Sequence, residues 1–304
     1  MISMPVLFTQ LAVIFGYVLI GFAAGKLHII NPSERKYLTR LCSQLILPFT
    51  ILSASSMEAG GELLLGFAAS AVVMFLLYAL TSAGVLVCMR GSDAKMRTAC
   101  TGLATYSNAT FLGLPLCRAL FGDIAMLYNA ALIVAFNVLF FTLQYSLFTG
   151  EGFKLRNLLT PPTVATMAMI VMLALGLHFP APVQTVVSNT GAMITPISLM
   201  IIGVMVAESD LASVFREKRA YGVTFVRNLL VPAATIAVLR FLPMAQDAKM
   251  CILVMMACPS AALTIIYAVQ NDTEPEMCAN TVLLSTLAFA VTLPAVIALA
   301  QLVL

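Results

Sequence analysis

Ala104-Thr105-Tyr106-Ser107-Asn108-Ala109-Thr110-Phe111-Leu112-Gly113-Leu114-Pro115-Leu116 is the stretch on which the fold turns. It sits inside an apolar run, 97–119, that is long enough to cross a bilayer, yet it gathers Thr, Tyr, Ser, Asn, Gly and Pro at the centre. Asn108 is costly in lipid unless it faces protein or a cavity. Pro115 has no N–H and crowds the carbonyl four residues back. A helix is therefore expected to break here at membrane depth, where irregular backbone survives only inside protein or against a cavity. A second run, 250–270, carries Ala257-Cys258-Pro259-Ser260-Ala261-Ala262-Leu263-Thr264, again with a proline in mid-span. Ser107 and Pro259 stand 152 residues apart.

Eight more apolar runs flank these two, at 6–25, 38–57, 63–89, 124–148, 163–179, 184–207, 220–242 and 278–303. Crossing about 30 Å of hydrocarbon takes roughly 20 residues at 1.5 Å each. The runs do not alternate polar with apolar, so strands are not expected. Hydrophobic residues make up 61% of the chain and charged residues 10%, with a mean hydropathy of +1.02. A soluble domain needs about a quarter of its residues charged. The sequence predicts an all-α integral membrane protein of ten transmembrane helices. The first run has no basic segment before it and continues for about 20 residues, so it reads as a span rather than a signal peptide.

Charge sets the orientation. Lys26, Arg35, Lys36, Arg40, Arg90, Lys95, Arg97, Lys154, Arg156, Arg216, Lys218 and Arg219 fall in connections after odd-numbered spans. Only Arg118, Arg240 and Lys249 fall on the other side. The positive-inside rule puts the first group in the cytoplasm and both termini outside, at the plasma (inner) membrane.

The chain also echoes itself. Asp93-Ala94-Lys95-Met96 returns as Asp247-Ala248-Lys249-Met250, Thr142-Leu143 as Thr292-Leu293, and Leu27-His28 with Pro32 as Leu177-His178 with Pro182. The offsets of 154, 150 and 150 predict two copies, 1–150 and 151–304. Five spans in each copy is an odd number, so the second copy is inverted. Inverted repeats are the architecture of secondary transporters, with the site at discontinuous helices near the midplane. Where two broken helices cross, their unpaired N–H groups and dipoles form an electropositive spot that suits a carboxylate. Ser107, Asn108, Thr110, Pro115, Pro259, Ser260 and Thr264 are the candidate binding residues there. Gln44 and Asn137, amides inside spans 2 and 5, are open to helix–helix bonding or to the site.

The residues Asn108-x-Thr110-Phe111-Leu112-Gly113-x-Pro115-Leu116 resemble the fourth-helix signature of the auxin efflux carrier family, to which the plant PIN-type carriers belong. Pro259-Ser260-Ala261 is similar to its ninth-helix motif, and Leu47-Pro48 in span 2 fits as well. The resemblance implies the fold of sodium/proton antiporters and bile-acid symporters, with helices 4 and 9 broken and crossing. It implies a scaffold of helices 1, 2, 6 and 7, a transport unit of helices 3–5 and 8–10 moving as an elevator, and a homodimer. It implies small organic anions as substrates, auxin-like or dicarboxylate. Two departures stand out. Ser107 takes a place where plant members often have proline, which predicts a less sharply broken fourth helix. The Thr149–Thr160 connection is short where many plant members carry a long insert.

Other classes find little support. The seven cysteines form no CxxC pair and read as small buried hydrophobes, and His28 and His178 lie near span ends, so no metal site or other cofactor is expected. No Ser/His or paired-Asp constellation points to a hydrolase, and nothing points to nucleic acid. Mid-span acids, which proton antiport would use, are missing from spans 4, 5, 9 and 10. The rival readings are a sodium-coupled symporter of the bile-acid-carrier type and a membrane sensor that does not transport. Arg227 lies within span 8, where snorkelling, a structural pairing and a place in the anion path are all open to it. Asp272, Glu274 and Glu276 make the last cytoplasmic connection acidic without an evident reason.

Overall fold

The computed structural model describes residues 4–57, 61–152 and 155–304. Glu58 and Gly60, in the connection after the second expected span, and Lys154, among the cations expected in the cytoplasm, lie outside the described residues. The described chain is helical, and its one extended pairing is an isolated bridge between Ser107 and Ser260. Among the described residues seven helices are long and apolar enough to cross a membrane: α1 Met4–Lys26, α2 Pro32–Ser56, α3 Gly61–Cys88, α6 Ile124–Thr149, α8 Ala181–Glu208, α9 Lys218–Arg240 and α12 Pro275–Val303. The fourth expected span is instead two helices, α4 Ala94–Thr105 and α5 Ala109–Phe121, and the ninth is α10 Gln246–Ala257 followed by α11 Leu263–Gln270. The sixth, α7 Pro161–Leu175, is shorter than the expected 163–179. It ends at Gly176, whose φ of 63° closes the helix with a left-handed residue.

Wide π turns interrupt α2 at Cys42–Ile46, α5 at Ala109–Gly113, α6 at Phe140–Gln144 and α9 at Val226–Leu230. Three of the four run straight into a proline: Pro48, Pro115 and Pro232. Proline's ring and missing N–H forbid the ordinary bond to the carbonyl four back, and the helix widens just before it. The orphaned carbonyl then needs another donor. For Pro115 that carbonyl is Phe111's, and the Ser198 hydroxyl of α8 donates to it at 2.9 Å. Ser198→Ala is expected to lose about 1–2 kcal/mol by leaving this buried acceptor unpaired. Pro115→Ala restores an N–H and should recover part of that loss, a coupling that thermal melts of the double mutant would read.

Packing follows the apolar faces. α1 lies along the second half of α8, α3 along α6, and the second half of α2 against α7 and the first half of α8. Buried Leu7, Met74, Leu77, Leu132 and Met255 belong to the largest core. The acidic 272–276 segment finds its reason here. Lys95 Nζ meets Asp272 at 2.8 Å, Arg219 meets Glu274 at 3.3 Å, and the Ser213 hydroxyl donates to Glu276 at 3.3 Å. These acids answer cations of two other connections, and the Lys95 bond holds the Asp272 carboxyl below the usual carboxylate range. The two DAKM copies are not equivalent locally: Asp93 caps α4 by accepting from Lys95 N, whereas Asp247 lies inside the first turn of α10.

Candidate functional site

The two broken spans meet at their breaks. α4 stops at Thr105 because Tyr106 turns extended, with φ −91° and ψ 128°. Thr, Tyr, Ser and Asn are poor helix formers, and their short polar groups compete for the backbone. α10 stops at Ala257 because Cys258 precedes Pro259, which disfavours the helical region; Cys258 takes φ −59° and ψ 151°. Asn108 N donates to Pro259 O and Ala261 N to Tyr106 O, both at 2.8 Å, so the two extended segments pair antiparallel. The break at Ser107 is complete, which corrects the expectation that serine would soften it. A second anchor replaces the missing proline: the Ser107 hydroxyl lies 2.8 Å from the Tyr78 hydroxyl on α3.

Four helix ends converge here. The C-termini of α4 and α10 face one another, and one arginine holds both. Arg227, from the π turn of α9, is fully buried. Its Nε donates to Cys258 O at 2.9 Å, Nη1 to Ala104 O at 3.1 Å and Thr105 O at 2.7 Å, and Nη2 to Met256 O. Arg227 does not snorkel: its guanidinium is spent on backbone carbonyls. The last carbonyls of α4 are thereby accounted for, since Tyr106 N takes Gly102 O and the Ser260 hydroxyl takes Leu103 O at 2.8 Å.

The N-termini of α5 and α11 point the other way, into a cavity of about 380 Å³. Ser107, Asn108, Thr110 and Phe111 line it from the first break, and Ala261, Ala262 and Leu263 from the second. Leu132, Ile133, Phe136, Asn137 and Phe141 come from α6, Thr39, Ser43, Gln44 and Leu47 from α2, and Thr160 to Pro162 from the start of α7. Helix geometry leaves the N–H groups of Ala109 to Phe111 at α5 without intrahelical acceptors, and at α11 those of Ala262 and Leu263, since Thr264 N and Ile265 N already take Ala261 O and Ala262 O. Each such end carries about half a positive elementary charge. No charged side chain lines the cavity among the described residues, so these dipoles set its sign.

Of the nine candidate residues, Gln44, Ser107, Asn108, Thr110 and Asn137 line this cavity. Pro115, Pro259, Ser260 and Thr264 do not. Pro115 is buried at the widened turn, Pro259 carries the bridge, Ser260 caps α4, and Thr264 is buried against Gly102. Asn137 spans two helices, donating to Thr163 Oγ1 at 2.6 Å and Thr160 Oγ1 at 3.3 Å. Sequence reasoning missed the aromatic wall. Tyr106 packs edge-on against Phe140 and Phe136, with ring centroids 5.0 and 5.2 Å away, and Phe136 faces the cavity. Those phenylalanines carry no signal that sets them apart from the other aromatics of an apolar helix.

The family described as membrane transport protein matches residues 6–155 and 149–297, two stretches that meet at the connection between α6 and α7. No curated protein matches the chain with significance.

Proposed function

The chain belongs to the membrane transport protein family, of the auxin efflux carrier type, and from that premise we propose that it is a secondary carrier of small carboxylates. The observation that carries this reading is the pair of helix N-termini, at Asn108–Phe111 and Ala261–Leu263, that face one cavity free of lining charges. Dipoles and amides bind an anion without a full countercharge, and so release it readily. In this reading the ten spans form two inverted five-helix repeats, and alternating access moves helices 3–5 and 8–10 as an elevator against helices 1, 2, 6 and 7. Both termini lie outside the plasma membrane, as the twelve-to-three charge bias suggests, and the carrier is a homodimer, as the family resemblance implies.

The cavity favours a monocarboxylate with an apolar body over a dicarboxylate. Its electropositive ends lie together at the crossing, and the remaining walls include Leu47, Phe111, Leu132, Phe136 and Phe141. A second carboxylate there would meet only neutral amides and hydroxyls, those of Gln44, Asn137, Thr39, Ser43 and Thr160, with no further helix end to offset its desolvation. Sodium coupling of the bile-acid-carrier kind is disfavoured, because the carbonyls that would hold a cation at the helix C-termini are engaged by Arg227.

Purified protein in liposomes tests this with labelled phenylacetate and malonate. Saturable flux of phenylacetate, weaker flux of malonate and no sodium requirement are expected. Asn108→Ala should raise KM by roughly three- to tenfold, the loss of one hydrogen bond. Saturable binding without flux would instead favour a sensor. Unchanged KM in Asn108→Ala and Thr110→Val would remove the site from the crossing.

A further inference from the structure

A second hollow, of about 620 Å³, lies beside the first along the early part of α2. Ile29, Tyr37, Leu41 and Leu45 give it apolar walls, and Arg40 and Gln44 give it a polar end. Gln44 is shared: the same side chain lines both hollows. Arg40 and Gln44 sit four residues apart at the widened turn of α2, and Arg40 Nε donates to Gln44 Oε1 at 3.0 Å.

Arg35, Arg118 and Arg219 each meet a carboxylate, at 2.8, 3.1 and 2.9 Å. Arg40 is the arginine that lines this hollow, and, like Arg90, Arg97, Arg156, Arg216 and Arg240, it has no carboxylate partner among the described residues. The acid that shares its hollow, Glu34, is turned back to the start of α2, where it accepts from Asn31 N at 2.6 Å. An unanswered guanidinium at the end of an apolar groove matches an anion with an apolar body, the class of solute that the adjoining cavity fits.

We propose that this groove is a vestibule for the carboxylate and that Arg40 is its entry residue, passing the anion to the central cavity past Gln44. The proposal rests on the carrier reading. A carboxylate docks on the planar guanidinium through paired charge-assisted bonds that displace the neutral Gln44 oxygen. Gln44 is then free to turn, and its amide N–H groups can follow the anion into the cavity that its side chain already lines. The groove thus raises the local concentration of substrate at the mouth, and the uncharged crossing holds it only while it is moved.

Phenylacetate uptake by reconstituted protein, fitted for KM and kcat, tests this. Arg40→Gln should raise KM about tenfold with kcat held within about twofold, the signature of a charge that steers capture. Arg40→Lys should recover part of that loss, since it keeps the charge but not the paired bonds. Gln44→Glu, which places an acid against Arg40, should raise KM as well, and supplies the answer if Arg40→Gln does not yield folded protein. The assay is run in phosphatidylcholine liposomes with and without phosphatidylglycerol, and the expected KM shift is the same in both. A shift seen only with the anionic lipid would show that the groove serves a headgroup, and would overturn the proposal. Wild-type flux with unchanged KM in Arg40→Gln and Gln44→Glu would overturn it alone. No wild-type flux of either carboxylate would overturn the carrier reading and this inference with it.

Discussion

Arg227→Met is expected to destabilise the folded protein by about 3–5 kcal/mol, the usual penalty for breaking a buried charge arrangement from one side. In thermal unfolding this is a fall of about 10 °C. The chain has no tryptophan, but six of its seven cysteines are buried, so a thiol-reactive dye reports unfolding directly. The effect is large because nothing else answers the groups that Arg227 holds. Two helix C-termini, each equivalent to about half a negative charge, converge at the crossing and together balance one guanidinium. The carbonyls of Ala104, Thr105, Met256 and Cys258 take its N–H groups. Methionine fills the volume and leaves four acceptors and two dipole ends uncompensated in a place water does not reach. Arg227→Lys keeps the charge but concentrates three donors at one point, which cannot span carbonyls of two helices. Its melt should lie between those of wild type and Arg227→Met. A melting temperature for Arg227→Met within about 2 °C of wild type would mean that the crossing is held by its strand-like bridge alone.

The partners of Arg227 explain why its role was not legible in the sequence. A buried arginine invites a search for an acid, and here the acceptors are main-chain carbonyls that become available only once α4 and α10 have ended. The sequence does say where they end: Ser107–Asn108 and Pro259 are visible as polar breaks at matching distance, and the bridge between Ser107 and Ser260 joins those places. It does not say which side of the break each residue faces. Ser260 and Thr264 read as binding residues by composition, yet Ser260 turns toward α4 and Thr264 toward Gly102. Gln44 and Asn137 read as ambiguous amides and both reach the cavity. A side chain's facing depends on the twist at each break, and the π turns at Cys42–Ile46 and Ala109–Gly113 shift that twist in a way that no 3.6-residue pattern carries. The acidic 272–276 segment is a similar case, since Lys95 and Arg219 reach it from segments far away in the chain.

Gly203→Leu is expected to abolish accumulation of folded protein, and Gly203→Ala to lower stability by about 2–3 kcal/mol, as overpacking against backbone does. The reason is the seam between α1 and α8. A Cβ on Gly203 would run into the carbonyl oxygen of Val18 and stand 2.6 Å from Phe22 N. A Cβ on Gly21 would likewise meet the Met200 carbonyl and lie 2.6 Å from Met200 Cα. Gly25 faces Ala207 across the same seam, so small residues four apart on each helix let the two backbones touch, the spacing by which membrane helices pack most closely. Flexible side chains can move aside, but a carbonyl in a helix cannot. The helices must separate along their length and surrender the contacts on both flanks. Gly84→Ala is the control: Gly84 lies in α3, has no atom within 4 Å of the added carbon, and should be neutral or gain up to about 1 kcal/mol from the stiffer chain. Gel filtration in detergent and the thiol-dye melt distinguish the three variants, and a monodisperse Gly203→Leu with the wild-type melt would mean that the seam yields. The seam also bears on transport. A carrier that moves one unit past another needs a part that does not deform, and α1 and α8 meet backbone to backbone, whereas α2 and α7 face the crossing across an open cavity. Gly203→Ala should therefore melt earlier yet leave the KM for phenylacetate unchanged, because the strain falls on the seam and not on the groups that meet the anion.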